Sequence, residues 1–216
     1  IGYQSKAQKN LDIKYNDLDE FLEELRLAIS EPYPEFDAIG LKDSDGNFQQ
    51  ISNGILQIEN ELYDCIRPKR AGLSGQRPYE LLKKEGIKYV EIRGIDLDPD
   101  DVAGISKDKI LLLDLILLYC FIRPSPMMDD KEKSIIENND TTTIKYGRLL
   151  ETTIILNNKK TGIFEAHRDI VKDLMSLAEA MDDTRYVDVV LDIKDRVNTF
   201  NADKPFHDLG LEKAQQ

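Results

Sequence analysis

The feature that most limits the possible folds of this chain is a change in the spacing of its apolar residues near residue 98. Before that point, residues 55–63 and residues 88–95 alternate apolar and polar side chains, a pattern typical of half-buried strands. After it, apolar residues recur at every third or fourth position, which is typical of helices. The order along the chain is a helix, several strands and then mostly helices, which predicts an α+β fold in place of alternating parallel units.

Several segments carry helical spacing or helix-end signals. Asn16 is predicted to cap a first helix, and Pro78 is predicted to begin a short helix that Gly86 ends. Three further helices are predicted in the second half of the chain, over residues 110–121, 170–181 and 186–197. The tract at residues 124–139 contains prolines and an acidic cluster, and it is predicted to be an exposed connection.

A hairpin is predicted between the first helix and the first alternating segment. Its strands are residues 38–41 and residues 48–51, joined across the turn signal Asp45-Gly46. A calcium loop that starts at Asp43 is the alternative interpretation. That template requires glycine at its sixth position and glutamate at its twelfth, and neither residue is there, so the hairpin is favoured.

The charge and the cysteine content exclude several functional classes. The net charge is -12, with 41 acidic and 29 basic side chains, which opposes non-specific binding to nucleic acid or to an anionic membrane surface. We therefore expect no nucleic acid and no membrane among the partners. Cys65 and Cys120 are too few and too far apart for a disulfide framework or a zinc site. A reducing compartment, and hence a cytoplasmic location, is expected.

The longest apolar run, residues 110–122, contains Asp114 and predicts a buried helix, since a bilayer span needs ~20 apolar residues. The chain does not begin with methionine, and we expect it to be part of a longer protein. A strand-rich part, residues 1–104, is followed by a mainly helical part, residues 105–216. The two parts are expected to form one body, because the helices need the other face of the sheet to pack against.

Glu91 and Arg93 are the first candidates for chemistry. Residues two apart on a strand project from the same face, about 6.5 to 7 Å apart. The carboxylate can hold Mg²⁺, and the guanidinium beside it can neutralise a phosphoryl or carboxyl oxygen. The pair therefore indicates a binding site for a metal-bound phosphate. A surface ion pair of little energetic value is the alternative.

The earlier alternating segment repeats this arrangement. Glu59 and Glu61 share one face, where like charges repel unless a cation or water lies between them. Asn60 and Tyr63 are candidates to bind a small polar ligand, with a core amide and a half-buried tyrosine as the alternative. Three cations follow in a predicted loop: Arg67, Lys69 and Arg70. Together, the carboxylates of the two strands and these three cations resemble a site for the phosphates of a nucleotide, although the sequence contains no Gly-x-x-x-x-Gly-Lys phosphate-binding loop.

Taken together, four motifs resemble the proteobacterial type of glutamate-cysteine ligase, also called gamma-glutamylcysteine synthetase. They are Gly-Tyr at residues 2–3, ILQIENELY at 55–63, IRPKR at 66–70 and GIKYVEIR at 86–93. The likeness is close from residue 1 to about residue 122. The family's chain is far longer, so this sequence resembles its C-terminal portion and a partial catalytic domain.

The resemblance implies a glutamine synthetase-like fold, in which an antiparallel sheet has helices on one face and holds ATP and metals on the other. It implies an enzyme that uses ATP, with Mg²⁺ or Mn²⁺, to join L-glutamate to L-cysteine through gamma-glutamyl phosphate, the first step of glutathione synthesis. The N-terminal half of the same enzyme is then the expected partner, because it carries other metal and substrate groups. This chain alone is expected to be inactive.

The resemblance also assigns roles by position. The cysteine pocket is assigned to Tyr3, Asn60 and Tyr63, and catalysis at the phosphoryl or substrate oxygens is assigned to Arg93. The metal side is assigned to Glu91 and, less directly, to Glu59; the nucleotide is assigned to Arg67, Lys69 and Arg70. Two other functions stay open, a related carboxylate-amine ligase with another amine acceptor and a non-catalytic binding module.

Overall fold

The computed structural model describes residues 7–73 and residues 75–200. Contacts between residues divide the chain into two compact units, Ile1–Asp96 and Leu97–Gln216. Both units contain helices and short antiparallel sheets, so the predicted α+β class is confirmed.

The described residues of the first unit form three α-helices and one two-stranded sheet. In chain order these elements are α1 (Leu18–Ser30), α2 (Pro34–Asp37), β1 (Ile66–Lys69), α3 (Pro78–Glu85) and β2 (Tyr89–Ile92). Short 3₁₀ turns lie at Ala7–Asn10 and Glu59–Glu61. Helix α1 confirms the first predicted helix, but its cap is Asp17 and not Asn16, because the Asp17 carboxylate accepts the Glu20 backbone N–H at 2.8 Å.

The core of the first unit forms around the apolar face of α1. Phe21, Leu22, Leu25 and Ala28 lie on that face and are buried. They pack with Leu56, Leu62 and Leu82, which come from the segments that follow. The core therefore fixes the chain immediately before the 3₁₀ turn and immediately after it.

The prediction of a strand at residues 55–63 is wrong. The segment crosses the end of α1, where the Leu56 N–H donates to the Ala28 carbonyl at 2.9 Å, and then forms the 3₁₀ turn. Leu56, Glu59 and Leu62 are all buried, so the inward positions recur every three residues and not every two. Glu59 consequently faces inward, whereas the strand pattern placed it on an outer face.

The predicted basic loop is instead strand β1. It pairs antiparallel with β2, and the register places Arg67 opposite Glu91 and Ile66 opposite Ile92. Two backbone hydrogen bonds beyond the strand ends extend the ladder, including one from the Arg93 N–H to the Cys65 carbonyl at 2.7 Å. Strand β2 lies inside the predicted strand at residues 88–95, so that strand is confirmed with shorter bounds.

The predicted hairpin is correct only at its turn. The Asp43 carboxylate accepts the backbone N–H groups of Asp45 and Asn47, and an isolated bridge joins Lys42 to Phe48. The strands predicted at residues 38–41 and 48–51 do not form. Phe48 is 73% exposed, so the segment lacks the apolar cover within this unit that a short hairpin needs.

In the second unit, the residues that the structure describes, 97–200, form four helices and a hairpin. These are α4 (Lys107–Ile122), α5 (Asp130–Tyr146), β3 (Thr153–Leu156), β4 (Lys159–Gly162), α6 (Ile163–Ala180) and α7 (Thr184–Phe200). The three predicted helices are confirmed as α4, α6 and α7. Their core consists of Leu115, Val171, Leu174, Ala178 and Val190.

Three features of the second unit differ from the predictions. The tract expected as an exposed connection includes the beginning of α5, whose first turn is capped by the Asp129 carboxylate at 2.7 Å from the Glu132 N–H. Helix α4 is not buried throughout, since only Leu115 is buried in it and Phe121 is 86% exposed. The β3–β4 hairpin was not predicted; its turn has Asn157 at φ 49° and Asn158 at φ 59°.

Within the described ranges, no helix is long and apolar enough to cross a membrane.

Gly86→Ala is expected to lower the free energy of unfolding by about 1 kcal/mol. Gly86 ends α3 with φ 74°, and its N–H caps the Leu82 carbonyl at 2.8 Å. A side chain at this φ is strained even though the position has open space around it. Urea unfolding checks the value, with Gly94→Ala as control because Gly94 lacks a positive φ and its added Cβ would make only ordinary contacts. An equal loss in both variants would contradict the assignment.

Candidate functional site

One face of the β1–β2 sheet gathers four charged side chains, Arg67, Lys69, Glu91 and Arg93, which we call the charge cluster. Arg67 and Lys69 are two apart on β1; Arg93 is two residues beyond Glu91 and is held to the sheet by the Arg93–Cys65 backbone hydrogen bond. Side chains with this spacing, and cross-strand neighbours, share a face. The two-stranded register therefore produces the cluster, and one of its two strands, β1, lies where the sequence pattern predicted a loop.

Glu91 is the centre of the charge cluster. Its Oε2 lies 2.7 Å from Arg67 Nη2, 3.1 Å from Arg93 Nε and 3.6 Å from Lys69 Nζ. The hydrogen bond from Arg67, followed by that from Arg93, lowers the pKa of Glu91 to about 2. Glu91 is thus ionised at neutral pH. Three cations face this single anion, so the cluster has an excess of positive charge on a protein that is acidic as a whole.

Tyr63 lies beside the cluster. The centre of its ring is 5.2 Å from the guanidinium carbon of Arg93, which is within the range of a cation–π contact. Tyr63 follows the 3₁₀ turn that contains Asn60, whose side chain is exposed. The structure therefore brings an aromatic ring with a hydroxyl to the edge of the charge cluster, and Asn60 lies three residues before that ring in the chain.

Arg67 connects this turn to the cluster. Its side chain is almost fully buried, and its Nη1 donates to the carbonyls of Leu62 at 2.7 Å and of Asn60 at 3.3 Å. Its Nε and Nη2 donate to Glu91. The sequence placed Arg67 in a loop that binds nucleotide, and it gave no sign of this link, because the link depends on strand pairing and on the turn together.

Two other predicted site residues lie outside the charge cluster. Glu59 is buried and accepts from Arg77 Nε at 2.9 Å. Arg70 donates from Nε to the Glu85 carboxylate at 2.9 Å and from Nη1 to the Glu85 carbonyl at 2.8 Å, at the end of α3. Arg77 was not singled out by sequence; its only signal is its place in a basic loop. Tyr3 lies outside the described residues.

A divalent metal does not find a complete ligand set in this part of the protein. In residues 7–73 and 75–200, no group of three or more His, Cys, Asp or Glu side chains is arranged to hold a metal ion. Glu91 is the one carboxylate of the charge cluster, and Glu59 is engaged by Arg77. The charge cluster therefore offers the single carboxylate of Glu91 to a metal, and further ligands would have to come from outside the cluster.

Comparison with known proteins identifies the family of this chain. The family model described as Glutamate-cysteine ligase matches residues 1–143. The chain is 38% identical to the glutamate-cysteine ligase of Saccharophagus degradans over 183 residues, which are 84% of this chain and 34% of that protein. It is 42% identical to the glutamate-cysteine ligase of Buchnera aphidicola subsp. Acyrthosiphon pisum over 184 residues, 84% of this chain and 36% of that protein.

A solved structure is also similar. The crystal structure of glutamate-cysteine ligase from Francisella tularensis in complex with AMP superposes with a TM-score of 0.84 at 29% sequence identity. The match covers 92% of this chain and 40% of that one. The fold and the sequence thus define an α+β protein that shares its architecture with part of a solved ligase. The chain belongs to the glutamate-cysteine ligase family, and it spans about a third of the length of the curated relatives that it matches.

Proposed function

We propose that this chain is part of an ATP-dependent ligase that joins the γ-carboxylate of L-glutamate to the amine of L-cysteine, the first step of glutathione synthesis. Family membership and the AMP bound to the Francisella relative support a nucleotide-dependent ligase. The observation that carries the proposal is the cationic cluster around Glu91, with Tyr63 against Arg93. A cytoplasmic location is part of the proposal.

The reaction explains why cations are needed. A carboxylate does not lose its oxygen readily, so the γ-carboxylate oxygen first attacks the terminal phosphorus of ATP, and ADP leaves. The cysteine amine then attacks the resulting γ-glutamyl phosphate, and inorganic phosphate leaves as the amide forms. Negative charge develops on phosphoryl oxygens in the first step and on the acyl phosphate in the second, and fixed cations stabilise both.

Arg93 is the residue best placed to act on those oxygens. Its side chain is 30% exposed, so its remaining N–H groups can reach a ligand while Glu91 fixes its orientation. Lys69 is 20% exposed and presents a second cation on the same face. The geometry favours Lys69 over Arg70 as a nucleotide contact, because two nitrogens of Arg70 already bind Glu85.

The acceptor pocket is assigned to Tyr63 and Asn60, with Tyr3 as a further member. Tyr63 is half-buried against Arg93, so an amino-acid pocket at Tyr63 would lie next to the oxygens that Arg93 contacts under this proposal. Mg²⁺ or Mn²⁺, when bound, supplies charge neutralisation for the phosphates. Glu91 would be one of its ligands, and the others would come from the remainder of the enzyme, together with the groups that bind glutamate.

The test is the acceptor dependence of ADP release by the full-length protein. With ATP, glutamate and cysteine, we expect ADP and γ-glutamylcysteine in equal amounts. We expect little product when cysteine is replaced by another amine, and none from the 216-residue chain alone. Faster release with another amine would identify a related ligase with a different acceptor, and no amine-dependent release would overturn the enzymatic assignment.

A further inference from the structure

We propose that Arg67 is a positioning residue that fixes the acceptor-side turn, residues 59–63, against Glu91, and that it does not bind the nucleotide. This proposal rests on the function proposed above, since it assigns how one residue prepares the same site. It concerns the link between the acceptor pocket and the charge cluster.

Burial is the first observation. Among the described residues, Arg67 is the only buried lysine or arginine, with 4% of its surface exposed. A buried charge is costly unless it is paired and hydrogen-bonded. All three guanidinium nitrogens of Arg67 are engaged, two by Glu91 and one by the carbonyls of Leu62 and Asn60. A triphosphate would have to displace these contacts.

The second observation is that the contacts close into a ring. Arg67 binds Glu91, Glu91 binds Arg93, and Arg93 lies over the ring of Tyr63. Tyr63 is bonded through the chain to Leu62, whose carbonyl accepts from Arg67 at 2.7 Å. Each member is therefore held from two sides. Removing Arg67 opens the ring at both the turn and the strand.

The planar fork of arginine is essential to this link. Its Nη1 points to the turn while Nε and Nη2 point to Glu91, so one rigid group spans both. A lysine ammonium is a compact point charge and can satisfy one side, but not both in this geometry. Arg67→Lys therefore retains the charge and loses the bridge, which separates positioning from simple electrostatic attraction.

The experiment compares steady-state kinetics of full-length wild type, Arg67→Lys and Arg26→Lys. Arg26 is an exposed residue of α1 paired with Glu23, so it is the matched control. For Arg67→Lys we expect KM for cysteine to rise about tenfold or more, the size of losing one hydrogen bond to a charged group, while KM for ATP changes by less than about twofold. A raised KM for ATP with an unchanged KM for cysteine would overturn the proposal and make Arg67 a nucleotide contact.

Amide hydrogen exchange gives a readout that is independent of ligase activity. In Arg67→Lys, exchange at Glu61 and Leu62, whose N–H groups close the 3₁₀ turn, is expected to accelerate at least about fivefold relative to wild type and Arg26→Lys. Unchanged exchange there would overturn the positioning role. If the wild type made no γ-glutamylcysteine, the proposed function would fail, and faster exchange would still establish the link. Arg67→Met extends the test by removing the charge as well.

Discussion

Glu91→Gln and Arg93→Met are each expected to lower kcat of the full-length enzyme by about a hundredfold or more, the usual cost of removing a preorganised charge partner at a reacting centre. Glu91 holds Arg67, Arg93 and Lys69 by its carboxylate, so its replacement by glutamine would leave three cations around a neutral amide. Arg93→Met removes the cation that lies over the ring of Tyr63. The rate of γ-glutamylcysteine formation at saturating substrates measures both effects.

Glu80→Gln and Arg26→Met are the matched controls for this comparison. Glu80 is exposed in the first turn of α3, and Arg26 is exposed on α1. Both controls are expected to retain the wild-type rate within about twofold, in line with substitutions at exposed sites. Wild-type rates in Glu91→Gln and Arg93→Met would favour the non-catalytic binding module over the ligase.

Leu56→Ala is expected to lower the free energy of unfolding by about 2 to 5 kcal/mol, the range for truncating a large buried side chain. Leu56 is 0% exposed and packs among the buried residues of α1. Its backbone is also tied to α1 through Ala28, so the surroundings are poorly able to collapse into the cavity. The side chain is therefore an anchor for the segment that leads to Asn60 and Tyr63.

Urea unfolding followed by far-ultraviolet circular dichroism measures this loss. Leu73→Ala is the control, because Leu73 is 79% exposed and its truncation should change the unfolding free energy by less than about 0.5 kcal/mol. Similar small changes in the two variants would show that residues 55–63 do not pack on α1 as described.

Helices with a strong apolar face were predictable from sequence. In α1 and α6 the apolar residues fall on one side, so packing and periodicity agree. Helix α5 was missed because it buries none of its residues and has no apolar stripe to detect. Its cap at Asp129, with acidic residues in the first turn, was the available signal.

The strand error at residues 55–63 has a different cause. Alternation predicts a strand only when one face is buried against a sheet, and here the chain turns so that buried positions recur every three residues. Strand β1 was missed because IRPKR contains proline and three cations, which suggest a loop. Pairing with β2 overrides that local preference.

The candidate site was partly accessible from sequence. The spacing of two residues along a strand was enough to predict that Glu91 and Arg93 are neighbours, and in the structure Arg93 Nε lies 3.1 Å from Glu91 Oε2. The contacts of Arg67 with Glu91 and Leu62 could not be predicted from the sequence. The contact with Glu91 depends on the pairing of two strands whose contacting residues are 24 positions apart, and the contact with Leu62 depends on the turn before β1. The roles assigned to these residues stay predictions.

A structure of the full-length protein with a non-hydrolysable ATP analogue, Mg²⁺, glutamate and cysteine is the most direct test. We expect a Glu91 oxygen within about 2.0 to 2.1 Å of a metal, the usual Mg²⁺ distance, with Arg93 bonded to a phosphoryl or carboxyl oxygen and Tyr63 contacting cysteine. Ligands bound far from the charge cluster, with Glu91 and Arg93 on an outer surface, would contradict the assignment.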